Sequence, residues 1–114
     1  MSHGLSAETL GEIARVLAAE PDVERAILYG SRAKGTQRPG SDIDLVVSGP
    51  RVTYDALARI FLAFDEGPLP YRFDIAILER IEHAALLEHI ARVGIPVYER
   101  ATATLRSNQA RSIA

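Results

Sequence analysis

The 114-residue chain has no cysteine, which excludes a disulfide framework and a thiolate zinc site and is compatible with a reducing compartment. It also lacks a basic excess. Thirteen Lys and Arg stand against 15 Asp and Glu, for a formal net charge of -2 and a pI near 5.9. That is the wrong balance for a protein that grips nucleic acid non-specifically through a broad basic face. No apolar run approaches the roughly 18 residues of a membrane span, and no apolar stretch follows a basic leader at Met1-Ser2-His3-Gly4, so a cytoplasmic protein without membrane contact is expected. Low-complexity segments and internal repeats are absent too. Histidine supplies no helical metal pair, since His83 and His89 are six positions apart. With His3 they are read as ordinary surface or interface residues. Ser31 lies in no nucleophile-elbow pattern, which sets aside a serine hydrolase.

What is present fits one domain of this length. Leu10, Ile13, Ala14, Leu17 and Ala18 recur at helical spacing behind Ser6, a candidate N-cap, with Leu5 and Leu10 placed as a hydrophobic staple. A helix from about Ala7 to Glu20 is predicted, stopped by Pro21-Asp22. Ala26-Ile27-Leu28-Tyr29 reads as a buried strand ending at Gly30-Ser31, and Arg32 to Ser41 as a loop with at most one helical turn after Ser31. Asp42 to Val47 is a second strand. Leu57, Ile60, Phe61 and Phe64 form an apolar helical stripe closed by Gly67-Pro68, with Phe61 and Phe64 read as core packing. Tyr71 to Leu78 alternates as a third strand, with Asp74 away from its aromatic side. Leu86, Leu87, Ile90 and Ala91 mark a last helix, ended at Gly94, and Ile95 to Tyr98 a short final strand. Tyr29, Tyr54, Tyr71 and Tyr98 are read as core or sheet residues. The domain is placed at residues 1–100 and the segment 101–114 is expected to be a mobile tail that orders only against a partner.

The chemistry lies in carboxylates interrupting strands. Successive strand side chains alternate in direction, so Asp42 and Asp44 share a face with Cα atoms roughly 6.5 to 7 Å apart. Two anions so placed repel one another unless one is protonated or a cation lies between them. Magnesium suits the site because it takes carboxylates together with substrate phosphates, which calls for a phosphate grip nearby. Gly30-Ser31 provides one: glycine admits a phosphate close to the backbone, and serine adds a hydroxyl beside N–H groups. Arg32, Lys34 and Arg38 in the following loop can neutralise the triphosphate or the leaving pyrophosphate. Asp74 on a neighbouring strand would complete a two-metal site and help deprotonate an attacking hydroxyl. Each piece alone is ordinary: Asp-x-Asp is commonly a strand end, Gly-Ser a turn, the basic residues a solvated loop. Their consecutive order makes coincidence a poor account.

Gly30-Ser31, ten residues, then Asp42-Ile43-Asp44 resembles the defining motif of the DNA polymerase beta-like nucleotidyltransferases. Tyr29-Gly-Ser-Arg-Ala-Lys-Gly, continued by Ser41-Asp-Ile-Asp-Leu-Val-Val, is similar in particular to the minimal nucleotidyltransferase (MNT) subfamily. The resemblance runs from about Leu5 to Arg100, with Arg72-Phe73-Asp74-Ile75 where the family places its third acidic residue. It implies an α/β fold with a short mixed sheet flanked by helices, two Mg2+ ions, and transfer of a nucleoside monophosphate from ATP or another NTP. Gly30 and Ser31 would bind the triphosphate, Asp42 and Asp44 both metals, and Asp74 the catalytic metal. Arg32 and Lys34 occupy the family's basic positions. The subfamily is commonly paired with a helical HEPN protein, as an antitoxin that adenylylates the HEPN toxin. A HEPN-type partner and protein adenylylation are therefore expected, with nucleic acid not the expected acceptor and the oligomeric state open. Two alternatives stand: an inactive antitoxin that acts by binding alone, and a transferase acting on RNA or a small molecule.

Overall fold

The computed structural model describes residues 3–100. Its first helix, α1 (Ala7–Ala18), begins where the sequence places it, because the Ser6 side chain accepts a hydrogen bond from Thr9 N at 3.1 Å and so satisfies one of the unpaired first-turn donors. It ends two residues before the expected Glu20. The remaining elements are β1 (Arg25–Tyr29), α2 (Gly30–Lys34), β2 (Ile43–Ser48), α3 (Tyr54–Glu66), β3 (Phe73–Ile77), α4 (Ala84–Val93) and β4 (Ile95–Glu99), with a single 3-10 turn at Leu78–Arg80. The turn expected after Ser31 is a short helix that already includes Gly30. β3 is shorter than predicted at its start, since Tyr71 and Arg72 precede the ladder. The expected tail from residue 101 lies outside the described residues.

The four strands form one mixed sheet in the order β3-β2-β1-β4. β1 is antiparallel to β2 and β4, whereas β2 and β3 are parallel, so α3 serves as the crossover that a parallel pair needs. The fold is the α/β arrangement anticipated. Register explains the burial. Leu28 pairs with Leu45 and Leu45 with Ile75, while Ala26 pairs with Val47 and Val47 with Ile77. These rows share one face and join Ile13, Val16 and Leu17 of α1 and Ile60 and Phe64 of α3 in the core. Phe64 stacks on Phe73 with ring centroids 4.0 Å apart. Phe61 does not enter this core. It is 50% exposed, because the buried stripe of α3 runs through Ala56, Ile60 and Phe64, and Phe61 sits about 100° further round the helix. Tyr54, the first residue of α3, is exposed as well.

The opposite face of the sheet is covered in part by α4, which packs against β1 and α2. Gly94 is needed where α4 turns into β4: a Cβ there would overlap Ile90 O and crowd Ile27 Cγ2, at 2.6 Å. Its φ of -60° is ordinary, so close packing and not a left-handed backbone selects glycine. Among the described residues, no helix is long and apolar enough to cross a membrane.

Candidate active site

On the face shared with α4, the register places Tyr29 of β1 opposite Asp44 of β2, and Asp44 opposite Asp74 of β3. The three residues thus form a row across three strands, spaced by about 4.8 Å from strand to strand. Asp42 lies one residue before β2, where Ile43 N donates to Arg72 O at 2.9 Å and carries the pairing outwards. Ile43 and Leu45 point into the core, so Asp42 and Asp44, on the alternate positions, face away from it. The parallel pairing of β2 with β3 therefore brings the start of both strands, with their carboxylates, to the end of β1 that carries Gly30.

Electrostatics follow from that row. The Asp44 carboxyl is pushed above its usual range, first by burial and then by the neighbouring charges of Asp74 and Asp42, with His89 acting in the opposite sense. The Tyr29 phenol is pushed up to about 12 by burial and by Asp74 and Asp44, so it remains a neutral donor at any physiological pH. Carboxylates that raise one another's pKa in this way suit a cation. Yet among the described residues, no three acidic or histidine side chains converge closely enough to hold an ion unaided. The expected three-carboxylate cluster is thus aligned on one face without being closed around a metal. Its donors are carboxylates, the hard oxygen ligands that magnesium takes together with water and phosphate.

Gly30 is tied to Asp44 sterically. Its φ is +74°, and a Cβ built there would overlap the Asp44 carboxylate. Glycine at this position lets the motif's turn and its second carboxylate occupy adjoining space, a requirement hidden in the ten-residue spacing. Ser31 and Ala33 are half-buried, and Lys34 is exposed on the far end of α2.

Arg32 has a different employment from the phosphate contact expected for it. It is only 3% exposed. Nε and Nη2 both donate to Ser41 O, at 3.2 and 2.9 Å, and Nη1 donates to His3 O at 3.0 Å. The guanidinium also lies 4.9 Å from the Tyr71 ring centroid. A planar fork that bridges two carbonyls and an aromatic face is what arginine does and lysine cannot. Arg32 thus fastens the loop that delivers Asp42. Arg38 donates its backbone N–H to Ser41 Oγ at 2.8 Å, tightening the same loop.

His89, read from sequence as a surface residue, belongs to this site. From α4 its Nε2 accepts the Gly30 N–H at 3.3 Å, and its ring meets Tyr29 edge-on with centroids 6.3 Å apart. Nothing local marks it, because its partner is 59 residues away. His3 and His83 differ: each accepts a backbone N–H two or three residues along, from Leu5 and Leu86.

The family model for polymerase beta nucleotidyltransferases matches residues 11–103, a span that includes every element from within α1 to the last strand. This chain belongs to the polymerase beta nucleotidyltransferase family. Solved structures agree on the fold. A chain of a toxin-antitoxin complex with AMP-PNP aligns with a TM-score of 0.65 at 22% identity, over 91% of this chain and 90% of that one. A chain of the MntA-HepT toxin-antitoxin complex aligns at 0.55 and 16% identity, over 91% and 82%. One from the complex of tri-AMPylated Shewanella oneidensis HEPN toxin with MNT antitoxin aligns at 0.55 and 16%, over 83% and 73%. A search of curated proteins found no match. For this polymerase beta nucleotidyltransferase, the matched span contains the Gly30-Ser31 turn and the row of Asp44 and Asp74.

Proposed function

We propose that the protein transfers AMP from ATP to a side-chain hydroxyl of a helical HEPN-type partner and thereby acts as its antitoxin. One observation carries the reading: Gly30, Asp44 and Asp74 adjoin on one sheet face, with Gly30 so close to Asp44 that no other residue fits. Family membership supports nucleotidyl transfer. The protein acceptor draws on the structural neighbours, one a complex with AMP-PNP and another a complex with a tri-AMPylated HEPN toxin. Asp42, Asp44 and Asp74 would hold two Mg2+ ions, which supply charge neutralisation on the triphosphate and lower the pKa of the attacking hydroxyl.

The chain's own groups divide the remaining work. Backbone N–H groups at Gly30 and Ser31, with the Ser31 hydroxyl, bind phosphate oxygens of the leaving end, and Lys34 adds charge. The acceptor oxygen attacks the α-phosphorus. The bond from that phosphorus to the bridging oxygen of pyrophosphate breaks, and the hydroxyl proton passes to the Asp74 carboxylate. Arg32 acts at one remove by fixing the Ser41 carbonyl beside Asp42.

ATP labelled at the α-phosphate tests the reading. Incubated with the protein, magnesium, a HEPN-type partner and a total RNA pool, it should leave label on the partner protein alone, whereas γ-labelled ATP should leave none. Label in RNA would replace the protein acceptor with a nucleic-acid one. Neutralisation of the partner by the Asp42→Asn, Asp44→Asn double variant as good as that by the wild type would establish an antitoxin that works by binding only.

A further inference from the structure

The amide that the motif offers to a phosphate is already engaged within the fold. Gly30 N donates to His89 Nε2 at 3.3 Å, so the imidazole lies where an anionic oxygen bound to that N–H would have to lie or touch. A phosphate oxygen accepting from Gly30 N, at about 2.9 Å, cannot avoid contact with the ring. The ring is also held. It packs edge-on against Tyr29, at an interplanar angle of 82°, and α4, which carries it, contacts both α2 and β1.

We propose that His89 is a nucleotide-binding residue, contributed by α4, that accepts from the Gly30 amide and, where a triphosphate oxygen takes that amide, donates a hydrogen bond to the oxygen. This rests on the reading of Gly30-Ser31 as the phosphate grip. A neutral imidazole has one donor and one acceptor nitrogen. With Nε2 accepting from Gly30, the proton is on Nδ1. Once an anionic oxygen takes the Gly30 N–H, a lone pair of the imidazole facing that oxygen is repelled, whereas an N–H facing it is attracted. The other neutral tautomer, with the proton on Nε2, presents that N–H to the oxygen without any change in net protonation. No other histidine among the described residues contacts the motif, since His3 and His83 serve local backbone donors.

The test is equilibrium binding of AMP-PNP with magnesium, by calorimetry, to the full chain and to His89→Ala, His89→Phe and His89→Gln. Melting temperatures without nucleotide are recorded alongside. Loss of one hydrogen bond to a charged phosphate should weaken binding on the order of tenfold to a hundredfold in His89→Ala. His89→Phe retains a ring against Tyr29 but has no N–H, and should lose as much, which covers a failure of the alanine variant to fold. His89→Gln can accept from Gly30 and donate to phosphate, and should recover most of the affinity. A role confined to packing predicts lower melting temperatures with unchanged affinity, and that result would overturn the proposal. Tighter binding in His89→Ala would also overturn it, by making His89 a competitor of the nucleotide. If the wild type binds no AMP-PNP, the proposed function falls and this inference with it; if it binds and the variants match it, the inference alone falls.

Discussion

Replacing Gly30 with alanine attacks the site at the contact that joins its two halves. Two costs are separable. Holding a residue with a Cβ at φ +74° costs roughly 1–2 kcal/mol. The new methyl also overlaps Asp44 Oδ2, with Cγ at 3.1 Å and Cβ at 3.4 Å behind it, and overpacking of this kind costs about 1–3 kcal/mol. Asp44 has a short side chain, so it can escape only by rotating its carboxylate away from Asp74. The strain is then exchanged for a displaced carboxylate. Gly30→Ala is therefore expected to lose roughly 2–5 kcal/mol if Asp44 stays and nearer the lower end if it turns, with nucleotidyl transfer abolished either way. At roughly 4–8 °C per kcal/mol for a small domain, thermal melts should fall by about 8–40 °C. The same substitution in an Asp44→Ala background should cost only the backbone share, because the overlap is gone, and the double-mutant cycle should show the difference as coupling. Equal costs in both backgrounds would refute the steric link between Gly30 and Asp44, and an unchanged melting temperature would refute the backbone cost as well.

Three further outcomes are expected. The Asp44 carboxyl is held above its usual range, so between the ordinary and the raised pKa the folded state binds more protons than the unfolded one, and stability falls as pH rises through that window. Magnesium-free Asp44→Asn should accordingly melt above the wild type at neutral pH, the advantage disappearing below about pH 4; a lower melt at neutral pH would contradict this. Arg32→Lys gives up the fork that binds Ser41 O and His3 O and should cost roughly 2–3 kcal/mol, with faster proteolysis between residues 35 and 42; retained stability would show that the clamp is dispensable. Phe64→Ala should cost about 3–5 kcal/mol and Phe61→Ser within about 0.5 kcal/mol of nothing, read by denaturant unfolding, and comparable losses would contradict the assignment of α3's buried face.

What could be read from the sequence was what is encoded locally. Ser6 caps α1 and Gly67 ends α3 because their partners lie within one turn, and the alternation in β2 and β3 points Asp44 and Asp74 away from the core without reference to anything distant. The motif's order could be read for the same reason. Contacts across the chain could not. Phe61 and Phe64 look alike on a helical stripe, and only the position of Phe73 decides which is buried. Arg32 looks like a loop cation until Ser41 and His3 are brought to it. His89 has no flanking signal at all, since α4 must first be laid over the end of β1. The family resemblance named five candidate site residues and put Arg32 and Lys34 at basic positions beside them, but it gave no sign of Arg32 as a clamp on Ser41 O and His3 O or of His89 on the Gly30 amide.

The central claim is that Asp42, Asp44 and Asp74 take metal together with the phosphates held at Gly30-Ser31. Calorimetric titration of AMP-PNP into the protein, with magnesium and then with EDTA, measures that coupling directly. Wild-type binding should depend on magnesium, and the Asp42→Asn, Asp44→Asn double variant should show only the weak binding seen in EDTA. Equal affinity with and without the metal, or an undiminished affinity in the double variant, would contradict the account.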